Sequence, residues 1–126
     1  MVHDDTEFLE RASIALNRSG YGVIIFTDPT AAFVFLMTRD HIEMLITRVH
    51  FGPRKRNGIT MALMASEKHR SLQVIFTSLP SQAVHALHFG EFLSMPVSIP
   101  RLMDLVKRLL PLSSPELPTY PTEFAI

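Results

Sequence analysis

The sequence predicts an α/β fold: an open parallel β-sheet with helices on both faces. Three observations support this prediction. Short apolar segments alternate with helical patterns along residues 1–110. Residues 42–49 are apolar almost throughout, as in strands that are buried on both faces of a sheet. At 126 residues, of which 47% are hydrophobic, the chain is long enough for one domain with a buried core.

A helix, a strand and a second helix are predicted before residue 40. Residues 6–16 place their apolar side chains on one helical face, and Gly20 ends this helix. Residues 21–27 are rich in β-branched and aromatic side chains, which is typical of a strand. Residues 29–38 follow an Asp-Pro helix start and are apolar on almost all sides, so we expect most of this helix to be covered.

Three further strands are predicted at residues 42–49, 72–77 and 91–95. A helix beginning at Ile59 separates the first two of these strands, and a short helix within residues 80–89 separates the last two. The last helix is the most clearly amphipathic one. Its apolar positions are Ile99, Leu102, Met103, Leu105, Val106, Leu109 and Leu110.

Residues 111–126 are predicted to be a Pro-rich C-terminal tail that follows a domain of residues 1–110. Prolines recur at positions 111, 115, 118 and 121, a spacing through which no ordinary helix can run. Such a segment is expected to be extended.

Composition excludes several classes of function. Twelve acidic and twelve basic residues balance, so no overall field attracts nucleic acid or anionic lipid. The absence of cysteine excludes disulfides, thiolate metal sites and cysteine nucleophiles. No apolar run approaches the roughly 18 residues that suggest a membrane span. We therefore expect a cytoplasmic domain with no nucleic-acid or membrane partner.

Other candidate sites have simpler explanations. His85 and His88 stand three apart but have no third ligand nearby, so no metal site is expected there. The basic run at residues 54–56 lies in a loop and lacks interleaved aromatic residues, which favours solvation over nucleic-acid binding.

An ordered set of segments resembles the receiver domain of response regulators. The set comprises Asp4-Asp5 before the first helix, Thr47-Arg48-Val49 at a strand end, Ile75-Phe76-Thr77-Ser78, and Ser94-Met95-Pro96 before the last helix. The resemblance covers the chain from Val2 to Leu110 and implies a CheY-like, flavodoxin-like sheet. In such sheets the carboxyl ends of the strands form one functional edge.

The residues at this edge depart from the resembled family. The family uses two N-terminal acids for magnesium, a phosphoaccepting aspartate, a hydroxyl and a lysine. In the corresponding positions this chain has His3, Asp4, Arg48, Thr77 and Met95. A guanidinium remains protonated at physiological pH and cannot be a nucleophile, and its charge repels magnesium. We therefore expect a degenerate phosphorylation pocket, formed by these residues together with Asp5, in which magnesium does not bind and Asp4 is the remaining candidate metal ligand.

Arg48 has two alternative placements at this edge. It pairs with Asp4 or Asp5, taking the place of the cation, or it extends into solvent. The sequence is compatible with both placements.

The resemblance also implies a missing strand. The family order is 2-1-3-4-5, and this chain begins at the last residues of the central first strand, which is apparently truncated. A gap there would leave unpaired backbone groups on both neighbours. Three explanations are open: a start upstream of Met1, which is the plainest, a strand from another protomer, or filling of the gap by the tail near residues 122–126.

The resemblance implies a stand-alone pseudo-receiver in a two-component phosphorelay. It would not be an enzyme, would not be phosphorylated, and would act through contacts with a histidine kinase or a downstream target. A homodimer through the last strand and helix is a further expectation. Its predicted face comprises Phe92, Val97, Ile99, Leu102, Met103 and Val106. The alternatives are phosphorylation at Asp4 or Asp5, or a small-anion sensor that uses Arg48 and the basic loop.

Overall fold

A computed structural model describes residues 1–53, 55, 57–112 and 122–125 of the chain. Its centre is a five-stranded parallel sheet in the order β1-β5-β2-β3-β4. The strands are β1 (Tyr21–Ile24), β2 (Met44–Thr47), β3 (Gln73–Ser78), β4 (Glu91–Ser94) and β5 (Thr122–Ala125). This is the parallel α/β architecture that the sequence predicts.

Five α-helices flank the sheet in the part of the chain that is described. They are α1 (Thr6–Arg18), α2 (Pro29–Thr38), α3 (Gly58–Lys68), α4 (Ala83–Ala86) and α5 (Ile99–Leu109). A 3₁₀ turn at Pro80–Gln82 precedes α4, so the short predicted helix divides into two pieces. No helix within these ranges is both long and apolar enough to cross a bilayer.

Side-chain caps fix several of the helix starts. The carboxylate of Asp28 accepts hydrogen bonds from the backbone N–H groups of Thr30 and Ala31 at the start of α2. Ser98 Oγ accepts from the Arg101 N–H at the start of α5. Each cap satisfies backbone donors that have no partner within the helix.

The sheet separates two apolar cores. One lies between the sheet and α1 with α5, and the other between the sheet and α2 with α3. The α1–α5 core includes Leu9, Leu16, Met44, Ile46, Ile75, Leu102 and Val106. The α2–α3 core includes Leu36, Leu45, Met61, Ala62, Val74 and Phe76. The strand residues alternate between the two lists, as the two-residue period of a strand requires.

The central position of the sheet is filled from the C-terminal segment. Strand β5 pairs with β1 on one side, from Tyr21↔Thr122 to Ile24↔Ala125, and with β2 on the other at Leu45↔Ala125. Val2 continues the same column through bridges to Phe26 and Thr47.

The structure therefore shows the third explanation of the missing strand, filling by the tail. Four residues of the segment expected to be a tail belong to the sheet, so the domain does not end at residue 110. The remaining residues of that segment beyond 112 lie outside the described part of the chain.

Helix α2 is less covered than its composition predicts. Only Pro29, Ala32 and Leu36 are buried, whereas Val34 is 55% exposed. Phe33 and Phe35 are half-buried and pack against the α2–α3 core, so the apolar side chains that remain exposed are Ala31 and Val34. The expectation that most of α2 is covered therefore fails on the side of the helix that carries these two residues.

Candidate functional site

The predicted edge residues lie on adjacent strands. Val2 is paired with Thr47, and Thr47 with Phe76, so the next residues in register are His3, Arg48 and Thr77. Met95 follows the end of β4, and its N–H donates to the Ser78 carbonyl oxygen at 2.8 Å. The Met95–Pro96 peptide bond is cis. The structure thus places the predicted pocket residues along one edge of the sheet.

An ion pair joins Arg48 to Asp4 at this edge. Arg48 Nη1 donates to Asp4 Oδ1 at 2.6 Å, and the two side chains are 26% and 47% exposed. The backbone holds Arg48 in place, because its N–H donates to the Val2 carbonyl at 3.1 Å. Pairing is the first of the two placements expected for Arg48, and Asp4 is the partner.

The carboxylate of Asp5 caps the N-terminus of helix α1. Asp5 Oδ1 accepts a hydrogen bond from the Phe8 N–H at 3.1 Å and so caps the helix. The Asp5 backbone N–H donates to His3 Nδ1 at 3.0 Å. The two adjacent acids are therefore used differently, Asp5 for the helix start and Asp4 for Arg48.

His3 is a buried neutral side chain. Burial lowers the pKa of His3 below its ordinary value, and the Arg48 charge adds to this lowering, against the opposing effect of Asp4. Because Nδ1 accepts from the Asp5 N–H, the ring proton is on Nε2. His3 Nδ1 also lies 3.4 Å from Asp4 Oδ1, but with a neutral ring this contact is not an ion pair.

Two adjacent hydroxyls at the end of β3 differ in their partners. Ser78 Oγ accepts a buried hydrogen bond from the Val49 N–H at 2.7 Å and so ties the end of β2 to β3. Thr77 is fully buried, and its hydroxyl has no hydrogen-bond partner in the described part of the chain. The sequence predicted a role for Thr77 but not the structural role of Ser78. The feature that could have indicated Ser78 was its position at the end of an apolar run.

Gly58 allows α3 to start close to Arg48. A Cβ at Gly58 would lie 1.9 Å from the Arg48 carbonyl oxygen, and the Gly58 N–H donates to the Val49 carbonyl at 2.7 Å. Asn57 caps the helix through Oδ1, which accepts from the Ile59 N–H at 2.7 Å. Any larger side chain at position 58 would displace the strand end that carries Arg48.

Three buried polar atoms at this edge have no hydrogen-bond partner among the residues described. They are His3 Nε2, Arg48 Nε and Thr77 Oγ1. The first two carry protons and are donors, and the third can donate or accept. Within the same residue ranges, no group of three His, Cys, Asp or Glu side chains is placed to hold a metal ion.

The predicted interaction face needs correction. Leu102, Met103 and Val106 are buried in the core, because α5 packs against both the sheet and α1. Phe92, Val97 and Ile99 are half-buried. The accessible surface beside these residues is a shallow hollow over β4 and α5. Its lining residues are Glu91, Phe92, Leu93, Arg101, Asp104, Leu105 and Arg108.

The other sequence candidates contribute little to this edge. Lys55 is exposed, while Arg54 and Arg56 of the same basic run lie outside the described residues. His88 is exposed on the surface, and the His85 side chain also lies outside the described part.

Comparison with known proteins gives a likeness of fold. No family model matches the sequence, and no curated protein matches it. The receiver domain of NtrX from Brucella abortus is similar with a TM-score of 0.74 and 20% identity, over 89% of this chain and 97% of that one. A response regulator receiver protein from Sinorhizobium medicae has a TM-score of 0.76 and 18% identity, over 86% and 90% of the two chains.

A third neighbour belongs to a family of streptococcal redox sensors that evolved from two-component response regulators. It has a TM-score of 0.75 and 14% identity, over 95% of this chain and 57% of that one. The architecture, the edge geometry and these likenesses agree with one another. The chain has the CheY-like, flavodoxin-like fold of response-regulator receiver domains.

Proposed function

We propose that this protein is a receiver-like signalling domain that does not accept a phosphoryl group and acts through protein contacts. The observation that carries the proposal is the ion pair between Arg48 and Asp4. A phosphoaccepting site needs a carboxylate nucleophile at the strand end and a divalent cation beside it. Here the strand end carries a permanent positive charge, which is already paired with the nearest acid.

The edge does not fit magnesium. Magnesium requires oxygen ligands in a strict geometry, and carboxylates are its usual protein ligands. Asp5 is used as a helix cap, Asp4 faces the Arg48 guanidinium, and His3 contributes no oxygen. A cation bound by Asp4 would displace Arg48 or lie next to its charge. We propose that the ion pair takes the place of the cation, so that the edge does not alternate between an unphosphorylated and a phosphorylated state.

A protein-contact role is supported by the hollow over β4 and α5. It combines the apolar side chains of Phe92 and Leu93 with charges of both signs on Arg101, Asp104 and Arg108. Apolar area within a polar rim is the usual anatomy of a protein interface. The partner would be a histidine kinase, a downstream target or a second copy. One similar structure belongs to a family of redox sensors that evolved from response regulators, which supports signalling by this fold in response to a signal other than phosphorylation.

Intact-mass spectrometry after treatment with acetyl phosphate and magnesium tests the proposal. The wild-type protein should gain no phosphoryl group. A triple variant, His3→Asp, Arg48→Asp and Met95→Lys, serves as the matched control because it supplies the missing groups on the same scaffold. Phosphorylation of the wild type at Asp4 or Asp5 would overturn the proposal and support the phosphorylated alternative.

The contact face is tested by sedimentation velocity. If a second copy binds there, Arg108→Glu should weaken self-association, because Arg108 lines the hollow. Lys107→Glu makes the same charge change on the adjacent exposed residue outside the hollow and should have little effect. Equal effects of the two variants would show that the hollow is not the homodimer face.

A small-anion sensor is the second candidate function. The unpartnered N–H groups of His3 and Arg48 beside the Thr77 hydroxyl favour it, since donors without partners suit an oxyanion. The carboxylate of Asp4 opposes it by repulsion. Thermal shift with inorganic phosphate decides between the two, because stabilisation that is lost in Arg48→Met requires anion binding at this edge.

A further inference from the structure

Strand β1 has a free side. Within the described ranges it has β5 as its neighbour on one side and no strand on the other, and β4 stands at the opposite end of the sheet. Natural proteins usually protect such strands from pairing with charged residues, proline or bulges. Residues 21–26 contain no charged residue and no proline, whereas β4 carries the exposed Glu91. We call the free side of residues 21–26 the β1 edge.

The backbone groups of this segment point alternately toward the sheet and away from it. The Phe26 N–H points inward and donates to the Met1 carbonyl at 3.0 Å. The Ile24 carbonyl also points inward and accepts a hydrogen bond from the Met1 amine at 2.8 Å. Successive residues of a strand direct their backbone groups to opposite sides. The N–H and C=O groups of Val23 and Ile25 therefore point toward the β1 edge.

The side chains of the segment are apolar on both faces of the sheet. Tyr21 and Val23 contact the α1–α5 core, and Phe26 contacts the α2–α3 core. The two-residue period of a strand places Ile25 on the α1–α5 face and Ile24 on the α2–α3 face. Ile25 is 46% exposed, and Val23 and Ile24 are half-buried. The β1 edge thus combines outward backbone groups with accessible apolar side chains.

We propose that the β1 edge binds a second copy of this chain, whose own β1 edge pairs with it in the antiparallel direction about a twofold axis at Ile24. In this register Val23 of one copy lies opposite Ile25 of the other, and the two residues exchange N–H···O=C hydrogen bonds. A twofold contact uses the same surface on both copies, so association stops at a dimer. Because β1 and the hollow over β4 and α5 lie at opposite ends of the sheet, the inference goes beyond the proposed function and does not depend on it.

The apolar residues of the β1 edge are complementary to themselves in this register. Ile24 lies directly opposite Ile24 of the second copy, at a pair of the kind in which side chains approach most closely. Phe26 lies opposite Gly22, and an aromatic ring over a glycine of the neighbouring strand is a stabilising cross-strand pair. On the other face, Val23 of the second copy covers the exposed Ile25. Each of these pairs removes apolar surface from water.

Charge complementarity at the ends of the β1 edge supports the same occupant. Arg18 is exposed in the last turn of α1, two residues before Gly20, and Asp28 is the exposed N-cap of α2. In the antiparallel register Asp28 of one copy lies opposite Gly20 of the other, at the end of the strand where Arg18 is located. The twofold axis repeats this attraction at the other end. An unrelated apolar strand would match the backbone of the β1 edge but not these charges.

Disulfide trapping tests the register, since the sequence contains no cysteine. Ile24→Cys places two thiols at a directly opposite pair, where Cα atoms about 4.5 Å apart suit a disulfide. Ile25→Cys is the matched control, because its side chain is more exposed but meets its own copy only diagonally, roughly 7–8 Å away. Under mild oxidation Ile24→Cys should form a covalent dimer at least about tenfold faster than Ile25→Cys. Random collision favours the more exposed thiol, so equal rates or the reverse order would overturn the proposal.

Sedimentation velocity measures the dimer without a cross-link. The wild-type protein should dimerise reversibly as its concentration rises. Ile25→Lys places a charge on the β1 edge, as protected edge strands do, and should raise the dissociation constant at least about tenfold. Leu63→Lys on α3 is the matched control, because Leu63 is 44% exposed and Ile25 is 46% exposed, and it should change the dissociation constant by less than about twofold. Melting temperatures check that each variant is folded.

Three results of sedimentation would overturn the proposal. The first is a wild-type protein that stays monomeric up to about 1 mM, which would favour a strand of a different protein as the occupant. The second is equal weakening by Ile25→Lys and Leu63→Lys. The third is weakening by Arg108→Glu with none by Ile25→Lys, which would assign the dimer to the hollow and leave the proposed function unaffected.

Discussion

The energy of the Arg48–Asp4 ion pair can be measured by a double-mutant cycle. The four proteins are wild type, Arg48→Met, Asp4→Asn and the double variant. Methionine retains much of the apolar stem of Arg48, and asparagine retains the shape of Asp4, so the cycle isolates the charge interaction. Urea unfolding gives the free energy of unfolding of each protein.

The structure sets the expected magnitude of this coupling. The contact is short, at 2.6 Å, but the partners are 26% and 47% exposed, so solvent screens a large part of their attraction. Exposed pairs contribute about 0.2–1 kcal/mol. With good geometry and partial burial we expect the upper end, about 1 kcal/mol, which corresponds to roughly 4 °C in the melting temperature.

Salt and a remote pair provide the controls. The coupling should decrease in about 1 M NaCl, where the Debye length is only about 3 Å. A second cycle with Arg108→Met and Asp4→Asn should show no coupling, because Arg108 lies in the last turn of α5, at the other end of the sheet. A coupling below about 0.3 kcal/mol between Arg48 and Asp4 would refute the claim that this pair is formed and stabilising.

Three further substitutions test other parts of the edge. Because burial lowers the folded-state pKa of His3, the unfolded state binds its proton more tightly, so stability should decrease as pH falls through the ordinary value of 6.5. His3→Asn should lose less stability than wild type between about pH 7 and about pH 5 in urea titrations. Gly58→Ala should cost about 2–4 kcal/mol, because its Cβ would lie 1.9 Å from a backbone oxygen; a normal melting temperature would contradict this. Ser78→Ala should cost about 1–3 kcal/mol by orphaning the buried Val49 N–H. Its matched control, Thr77→Val, removes a hydroxyl without a partner and should be neutral or stabilising; the reverse order would refute the assignment.

The composition of the edge was predictable because each of its residues follows directly on a predicted strand, and the strand ends of a parallel sheet always lie at the same edge. The carboxyl ends of parallel strands meet at one edge, so the alternation of elements is enough to bring Arg48, Thr77 and the N-terminal acids together. Sequence alone could not choose between a paired and a solvated Arg48. That choice depends on how the α1 start directs Asp4 once Asp5 is used as the cap.

The central strand was harder to predict. Residues 122–125 follow four prolines and include Glu123, so local propensity indicates a tail. Their place between β1 and β2 is set by tertiary context, namely two strands whose backbone groups need a partner. Sequence reasoning could raise this option but not select it.

The prediction of an interaction face on α5 was wrong for a related reason. Its apolar residues exceed what covering a sheet requires, and this excess suggested an interface. In the structure α5 also packs against α1, which buries Leu102 and Val106. A sequence pattern records how much of a helix is apolar, but the number of neighbours that cover the helix follows from the assembled fold.

The most direct test of the central claim is magnesium binding to the wild-type protein by calorimetric titration. If the Arg48–Asp4 pair takes the place of the cation, the wild type should show no saturable binding, and Arg48→Asp should gain a site with an affinity on the order of millimolar or tighter. Saturable binding to the wild type at the same affinity, lost in Asp4→Asn, would contradict the account.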